Sequence, residues 1–281
     1  MRPGIHPYTV ATRQREFDRI AGLVQAAISA GRGASVYACG SPGVGKTMTV
    51  GFAIESLEAM KAASGTGGSP GGRSCPHDFN IIRLQGTTLD SGETYVNIAT
   101  ELGLLEGGKP RSEARALVLK RFRSAVQPRR KTGKSIPLTI LVIDEIDKAP
   151  KPEMRELLAI AGHDGTNEDQ LDGDADGHGD GDGSESSGSS SSRGNGSSLI
   201  VIGLANSIRF PDDLDLPYNA RPAMVLFECY DSSSVQEIIL ARGYGLFHPM
   251  SANLVSKKVA GKSGKTTFVC ICVCVYGCVR V

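Results

Sequence analysis

The chain has no tryptophan, and aromatic residues fill only 5% of its 281 positions. Aliphatic side chains must therefore build most of any core. Net charge is nearly absent too, with 31 Lys and Arg against 30 Asp and Glu giving +1. That balance excludes a whole-molecule field drawing the chain onto nucleic acid or an anionic bilayer; any such contact must come from a local patch. No apolar run reaches the ~20 residues needed to span a membrane, and the N-terminus lacks a signal-peptide pattern. No membrane partner is expected. Cysteine is sparse before residue 261, limited to Cys39, Cys75 and Cys229. Cys39 and Cys229 lie in apolar, strand-like runs and read as reduced core thiols of an intracellular protein.

What is present is a phosphate-binding signature. Gly40-Ser41-Pro42-Gly43-Val44-Gly45-Lys46-Thr47 fits G-x-x-x-x-G-K-[ST]. The apolar run Ala34 to Cys39 before it reads as a buried strand, and a helical pattern follows from Lys46 to about Met60. That context gives the motif its chemistry. Glycines let the backbone curl so that N–H groups point inward at phosphate oxygens, and the helix N-terminus adds a favourable dipole. Lys46 is expected to reach the β- and γ-phosphates of ATP, and Thr47 to present its hydroxyl to Mg²⁺.

The remaining elements alternate. Arg13 to Ala30 reads as an amphipathic helix with Phe17, Ile20, Leu23, Val24, Ala27 and Ile28 on one face, ended by Gly31 and Gly33. Strands are expected at Phe79 to Leu84, Leu138 to Ile143, Leu199 to Ala205 and Met224 to Phe227. Helices are expected at Thr94 to Leu105 with Ser91 as a possible cap, at Ser112 to Val126, at Glu153 to Ala161, and at Ser232 to Arg242 capped by Asp231 or Ser232. Buried strands alternating with helices predict an α/β fold, a parallel five-stranded sheet covered on both faces. Ligands then bind at the carboxyl ends of the strands. Gly40, Asp144, Glu145 and Asn206 all fall there.

Ile140-Leu141-Val142-Ile143-Asp144-Glu145 is the second nucleotide signal. A buried strand carries Asp144 to the Mg²⁺ shell and leaves Glu145 to polarise an attacking water. Asn206 is a candidate γ-phosphate- or water-orienting amide. Arg209 and Arg221 follow in the next loop, either able to reach a neighbouring subunit's γ-phosphate or to stand as a solvated loop residue.

Three blocks resemble the AAA+ initiator ATPases, the family of cell division control protein 6 and the largest subunit of the origin recognition complex. They are Arg15-Glu16-Phe17 through Tyr37 to Thr47, Leu141 to Asp147, and Leu199 to Ile208, with Ile202-Gly203-Leu204-Ala205-Asn206-Ser207 the most specific phrase. Phe227-Glu228-Cys229-Tyr230 and the helix after it look like the start of the family's lid. The resemblance implies a nuclear, ATP-dependent factor of replication initiation that binds origin DNA. It also implies partnership in a hetero-oligomer with the origin recognition complex and the helicase-loading machinery. It gives Lys46, Thr47, Asp144, Glu145 and Asn206 the Walker A, Walker B and first sensor roles, and matches Arg221 to the arginine finger. The expected organisation is an irregular segment over 1–12, a nucleotide-binding domain over 13–230 and a partial helical lid over 231–264. Where the family continues with a sensor-two Arg, this chain has Lys265-Thr266-Thr267, and the family's winged-helix domain is expected to be lacking.

Other segments fit no packed fold. Residues 162–198 are dominated by Asp, Gly and Ser and read as a disordered insertion. Asp172 to Gly177 opens like a calcium-binding loop, but Gly183 stands where a bidentate Glu belongs. Residues 265–281 alternate Val and Ile with Cys270, Cys272 and Cys274, a spacing unlike a zinc site, and read as a native end replaced through a frame change or retained intron. Residues 109–134 are strongly basic without interleaved aromatics, suiting either a solvated face or contact with a phosphate backbone. The function these features imply is an ATPase of replication initiation. The alternatives are a nucleotide-dependent scaffold with little turnover, or another AAA+ machine such as a clamp loader subunit.

Overall fold

The computed structural model describes residues 11–65, 77–105, 110–123, 137–162, 197–242 and 248–260. The irregular start up to residue 10, most of the Ser/Gly/Pro loop, the Gly107-Gly108 breaker, the basic residues past 123, the Asp/Gly/Ser stretch over 163–196 and the Cys/Val tail lie outside the described residues. Five strands, β1 (Ala34–Gly40), β2 (Phe79–Gln85), β3 (Leu138–Asp144), β4 (Leu199–Ala205) and β5 (Ala223–Phe227), form one sheet in the order β2-β3-β4-β1-β5. Every pairing is parallel. The central strands β3 and β4 are apolar and buried almost throughout, whereas the edge strands β2 and β5 alternate buried with exposed residues. Central strands covered on both faces are apolar almost throughout, whereas the edge strands are only partly covered and keep polar or exposed positions.

Side chains leave a strand on alternate faces, and β1 shows the consequence. Tyr37 and Cys39 join the core under α3 (Glu93–Glu101), α4 (Ala114–Phe122) and α5 (Lys151–Ala161). Val36 and Ala38 join the core under α1 (Gln14–Ala30) and α2 (Lys46–Gly65). In α1 the expected face packs down, with Ile20, Val24, Ala27 and Ile28 buried and Phe17 and Leu23 partly so. Gly31, at φ 63, closes that helix in the left-handed conformation. A short α6 (Phe210–Asp213) precedes β5, and α7 (Ser232–Arg242) and α8 (Pro249–Ala260) make a separate pair around Val235, Ile239, Ala252 and Val259. Among the described residues no helix is long and apolar enough to cross a membrane.

Several boundaries differ from the sequence expectation. Helix α3 starts behind Gly92, not Ser91, because the Gly92 N–H is satisfied from another element, by the carboxylate of Glu153 on α5. A 3₁₀ turn over Arg111–Glu113 replaces the first turn expected of α4, and α2 runs five residues past Met60 to Gly65. Gly162, Ser197 and Ser198 belong to the packed fold. A Cβ on Gly162 would lie 2.4 Å from the Ala220 Cα. Ser198 is fully buried and bridges Phe122 and Thr139 through its backbone. Asp231 caps α7, its Oδ1 accepting from the Ser234 N–H at 2.7 Å, and that bond holds its carboxyl below the usual range. Cys229 is exposed rather than in the core, since it follows β5.

One glycine is a stability reserve. Gly22 lies in the middle of α1, and a Cβ there would meet nothing within 4 Å. Gly22→Ala is expected to stabilise the chain by about 0.5–1 kcal/mol, because alanine loses less backbone entropy in a helix. The check is the denaturant midpoint, which should rise at unchanged slope.

Candidate nucleotide site

The carboxyl ends of β1, β3 and β4 meet at one point. Register makes this unavoidable: Cys39 lies opposite Ala205 and Ile143 opposite Gly203, so Gly40, Asp144 and Asn206 leave neighbouring strands at the same edge. The phosphate loop turns there from β1 into α2. Gly40 must pass tightly under β5, where a Cβ would sit 2.3 Å from the Phe227 carbonyl oxygen. Gly43 and Gly45 take φ values of 80 and 91, which favour glycine. Val44 turns inward and is buried with the α1–α2 core, while Pro42 and Gly43 stay exposed.

Lys46 is the electrostatic centre. It is only 8% exposed, and its Nζ donates to the carbonyls of Gly40 at 2.8 Å and Ser41 at 2.9 Å and to Asn206 Oδ1 at 3.0 Å. Burial lowers its pKa, and the carboxylates of Asp144, Asp147 and Glu145 oppose that shift. Thr47 Oγ1 donates to Asp144 Oδ2 at 2.9 Å, and Asp144 Oδ1 accepts from the Glu145 N–H at 2.9 Å. The Thr47 hydroxyl and the Asp144 carboxylate are hard oxygen donors side by side, the type Mg²⁺ takes. They supply two of its ligands and leave the others to phosphate and water, as that ion commonly requires. The residues present therefore fit a magnesium-bound nucleoside triphosphate.

Glu145 stands just past β3 with φ 52, a left-handed value uncommon for a residue with a side chain. Gly86 makes room for it, since a Cβ there would lie 2.1 Å from the Glu145 carbonyl oxygen. Gln85 Nε2 donates to Glu145 Oε2 at 3.3 Å and orients the carboxylate. Gln85 lies opposite Asp144 in the β2–β3 pairing. A polar residue ending the strand next to β3 was the signal that could have marked it. A cleft of about 360 Å³ opens beside this group, lined by Thr47, Gln85 and Asp144 with Val50, Ile54 and Leu204. A larger cavity of about 730 Å³ between α3, α4 and α5 contains none of these residues.

The structure thus brings together Gly40 to Thr47, Asp144, Glu145 and Asn206, and leaves out Arg221. That arginine precedes β5, whose Ala223 lies opposite Val36 near the start of β1 and whose Phe227 lies opposite Gly40. It sits at the amino end of the sheet, away from its own chain's Lys46. Arg209 follows β4 at the carboxyl end and is exposed. Sequence reading also missed Arg13, whose Nε donates to the Val44 carbonyl of the phosphate loop at 3.1 Å.

Fold and site together define a P-loop nucleotide-binding domain of the α/β class. The sequence model of the AAA domain matches residues 30–171, half of the chain, and the chain belongs to that family. Within it, the resemblance is to initiators of the cell division control protein 6 and origin recognition complex type. The chain is 27% identical over 266 residues to origin recognition complex subunit 1 of Drosophila melanogaster, covering 92% of this chain and 24% of that protein. The chain spans about a quarter of the length of the curated relatives it matches. Solved structures share the fold, among them the following two. The Drosophila origin recognition complex bound to DNA aligns at a TM-score of 0.59 with 24% identity, over 97% of this chain and 56% of that one. The Cdc6p of Pyrobaculum aerophilum aligns at 0.62 with 14% identity, over 99% and 65%.

Proposed function

We propose that this chain is an ATP-binding and ATP-hydrolysing AAA+ module acting in the initiation of DNA replication. The observation that carries the proposal is the junction at Lys46: one buried ammonium bonded to two phosphate-loop carbonyls and to Asn206, beside a directly bonded Thr47–Asp144 pair. In this reading Ser41 to Thr47 cradle the phosphates with backbone amides, and Lys46 turns from its loop carbonyls to the β- and γ-phosphates. Bound Mg²⁺, held through Thr47 and Asp144, supplies charge neutralisation on the phosphates. Glu145, oriented by Gln85, polarises the attacking water and takes its proton. Asn206 positions that water or the γ-phosphate. Arg221, remote from its own site, acts in trans on a neighbouring subunit.

The relatives support the wider setting. A fly relative is named subunit 1 of the origin recognition complex, and a structure of that complex is described as bound to DNA. The proposed partners are therefore origin DNA, other origin recognition subunits in a hetero-oligomer and the helicase-loading machinery, in the nucleus. Steady-state ATP hydrolysis tests the enzymatic part. A wild-type rate above that of Glu145→Gln supports the ATPase; equal, near-zero rates with ATP still bound would leave a nucleotide-held scaffold.

A further inference from the structure

We propose that Arg13 is a positioning residue that, through Tyr230, couples the phosphate loop to the α7–α8 lid and so sets how long a nucleotide stays bound. The proposal rests on the nucleotide reading above and adds a residue outside the phosphate-binding motif. Arg13 precedes α1 and is only 6% exposed. Its planar guanidinium is used on every side. Nε donates to the Val44 carbonyl in the phosphate loop at 3.1 Å, and one terminal nitrogen donates to the Glu228 carbonyl, just past β5, at 2.5 Å. The other terminal nitrogen pairs with Glu16 at 2.7 Å, which compensates the buried charge. The flat face lies 4.1 Å from the centroid of the Tyr230 ring and 5.6 Å from that of Phe227, a cation–π arrangement strengthened by burial.

Tyr230 completes the bridge. It packs against the lid cluster of Val235 and Ile239. Its hydroxyl also borders the phosphate loop, because a Cβ on Gly45 would lie 2.6 Å from that oxygen. Arg13 and Tyr230 therefore form a continuous path from Val44 and Gly45 to the root of α7. When the loop adjusts around phosphate, the Val44 carbonyl must either carry Arg13 with it or leave a buried guanidinium donor unpaired, which is costly. Tyr230 and α7 follow in the first case. Lysine cannot replace this arrangement, since an ammonium has no fork to reach carbonyls on two sides and no flat face to stack.

Amide hydrogen exchange on the full chain, with and without ATP and Mg²⁺, tests the coupling. In the wild type the nucleotide should slow exchange both in the phosphate loop and along α7. Arg13→Met should keep the first effect, lose most of the second, and release a fluorescent ATP analogue about tenfold faster. Tyr230→Leu should match it, Tyr230→Phe, which keeps the ring against Arg13 and gives up only the hydroxyl beside Gly45, should keep most of the α7 protection, and the double variant should be no worse than either single one. Arg13→Lys should not restore the coupling. If Arg13→Met fails to fold, the contrast of Tyr230→Leu with Tyr230→Phe decides the matter alone. Unchanged α7 protection in Tyr230→Leu, equal damage in Tyr230→Phe, or additive losses in the double variant would each overturn the coupling. A wild-type chain whose phosphate loop gains no protection would instead sink the nucleotide reading beneath it.

Discussion

Glu145→Gln is expected to lower ATP turnover by about 100- to 1,000-fold while ATP affinity stays within about threefold of wild type. The two effects separate because Glu145 lies outside the phosphate loop. Its contacts are with Gln85 and, through its backbone, with Asp144 and Lys148. Glutamine keeps the shape and a hydrogen-bonding oxygen but cannot take a proton from water. The backbone at Glu145 is already left-handed and hemmed in by Gly86, so the amide should occupy the same place. Rates from steady-state hydrolysis and affinities from titration check both halves. Loss of affinity in parallel with turnover would mean that Glu145 holds the nucleotide rather than activating water.

Gly40→Ala is expected to destabilise the fold by about 3 kcal/mol and to weaken nucleotide binding with it. The added methyl would stand 2.3 Å from the Phe227 carbonyl oxygen and 2.9 Å from its Cβ. Neither neighbour is the loose end of a flexible side chain. Phe227 is buried and paired in register with Gly40, so relief requires β5 to move away from β1. That movement would also displace Glu228 and Tyr230, which lie between β5 and α7. Denaturant melts should show a lower midpoint. A midpoint within about 0.5 kcal/mol equivalent of wild type, the size of effect typical of surface changes, would show that β5 yields easily.

Legibility in the sequence followed physical locality. The β1–loop–α2 unit could be read because its signal is contiguous: six apolar-run residues, a fixed glycine spacing and a Lys-Thr pair at the helix start. The convergence of Asp144 and Asn206 on that loop followed from the α/β alternation alone, since parallel strands bring their carboxyl ends to one edge. Gln85 lay one residue past the strand expected over Phe79 to Leu84; the structure extends β2 to include it, and its place beside Glu145 depends on the β2–β3 pairing, which no local pattern states. Arg13 is the clearest omission. Its partners Val44, Glu228 and Tyr230 are distant in sequence, so a cation at the start of an amphipathic helix gave no hint that it would be buried. Ser91 misled for the complementary reason. Local rules favour serine as a cap, but Glu153 satisfies the Gly92 amide from across the core. Cys229 misled because its apolar neighbours belong to an edge strand that ends at Phe227.

The most direct measurement is a calorimetric titration of the wild type and Lys46→Ala with ATP in the presence of Mg²⁺. If the buried ammonium that now bonds Gly40, Ser41 and Asn206 is the group that takes the phosphates, the wild type binds at one saturable site. Lys46→Ala, with its fold confirmed by circular dichroism, then binds about 100-fold more weakly or not measurably. Equal affinity in the two proteins, or no binding by the wild type, would contradict the assignment of this loop as a nucleotide site.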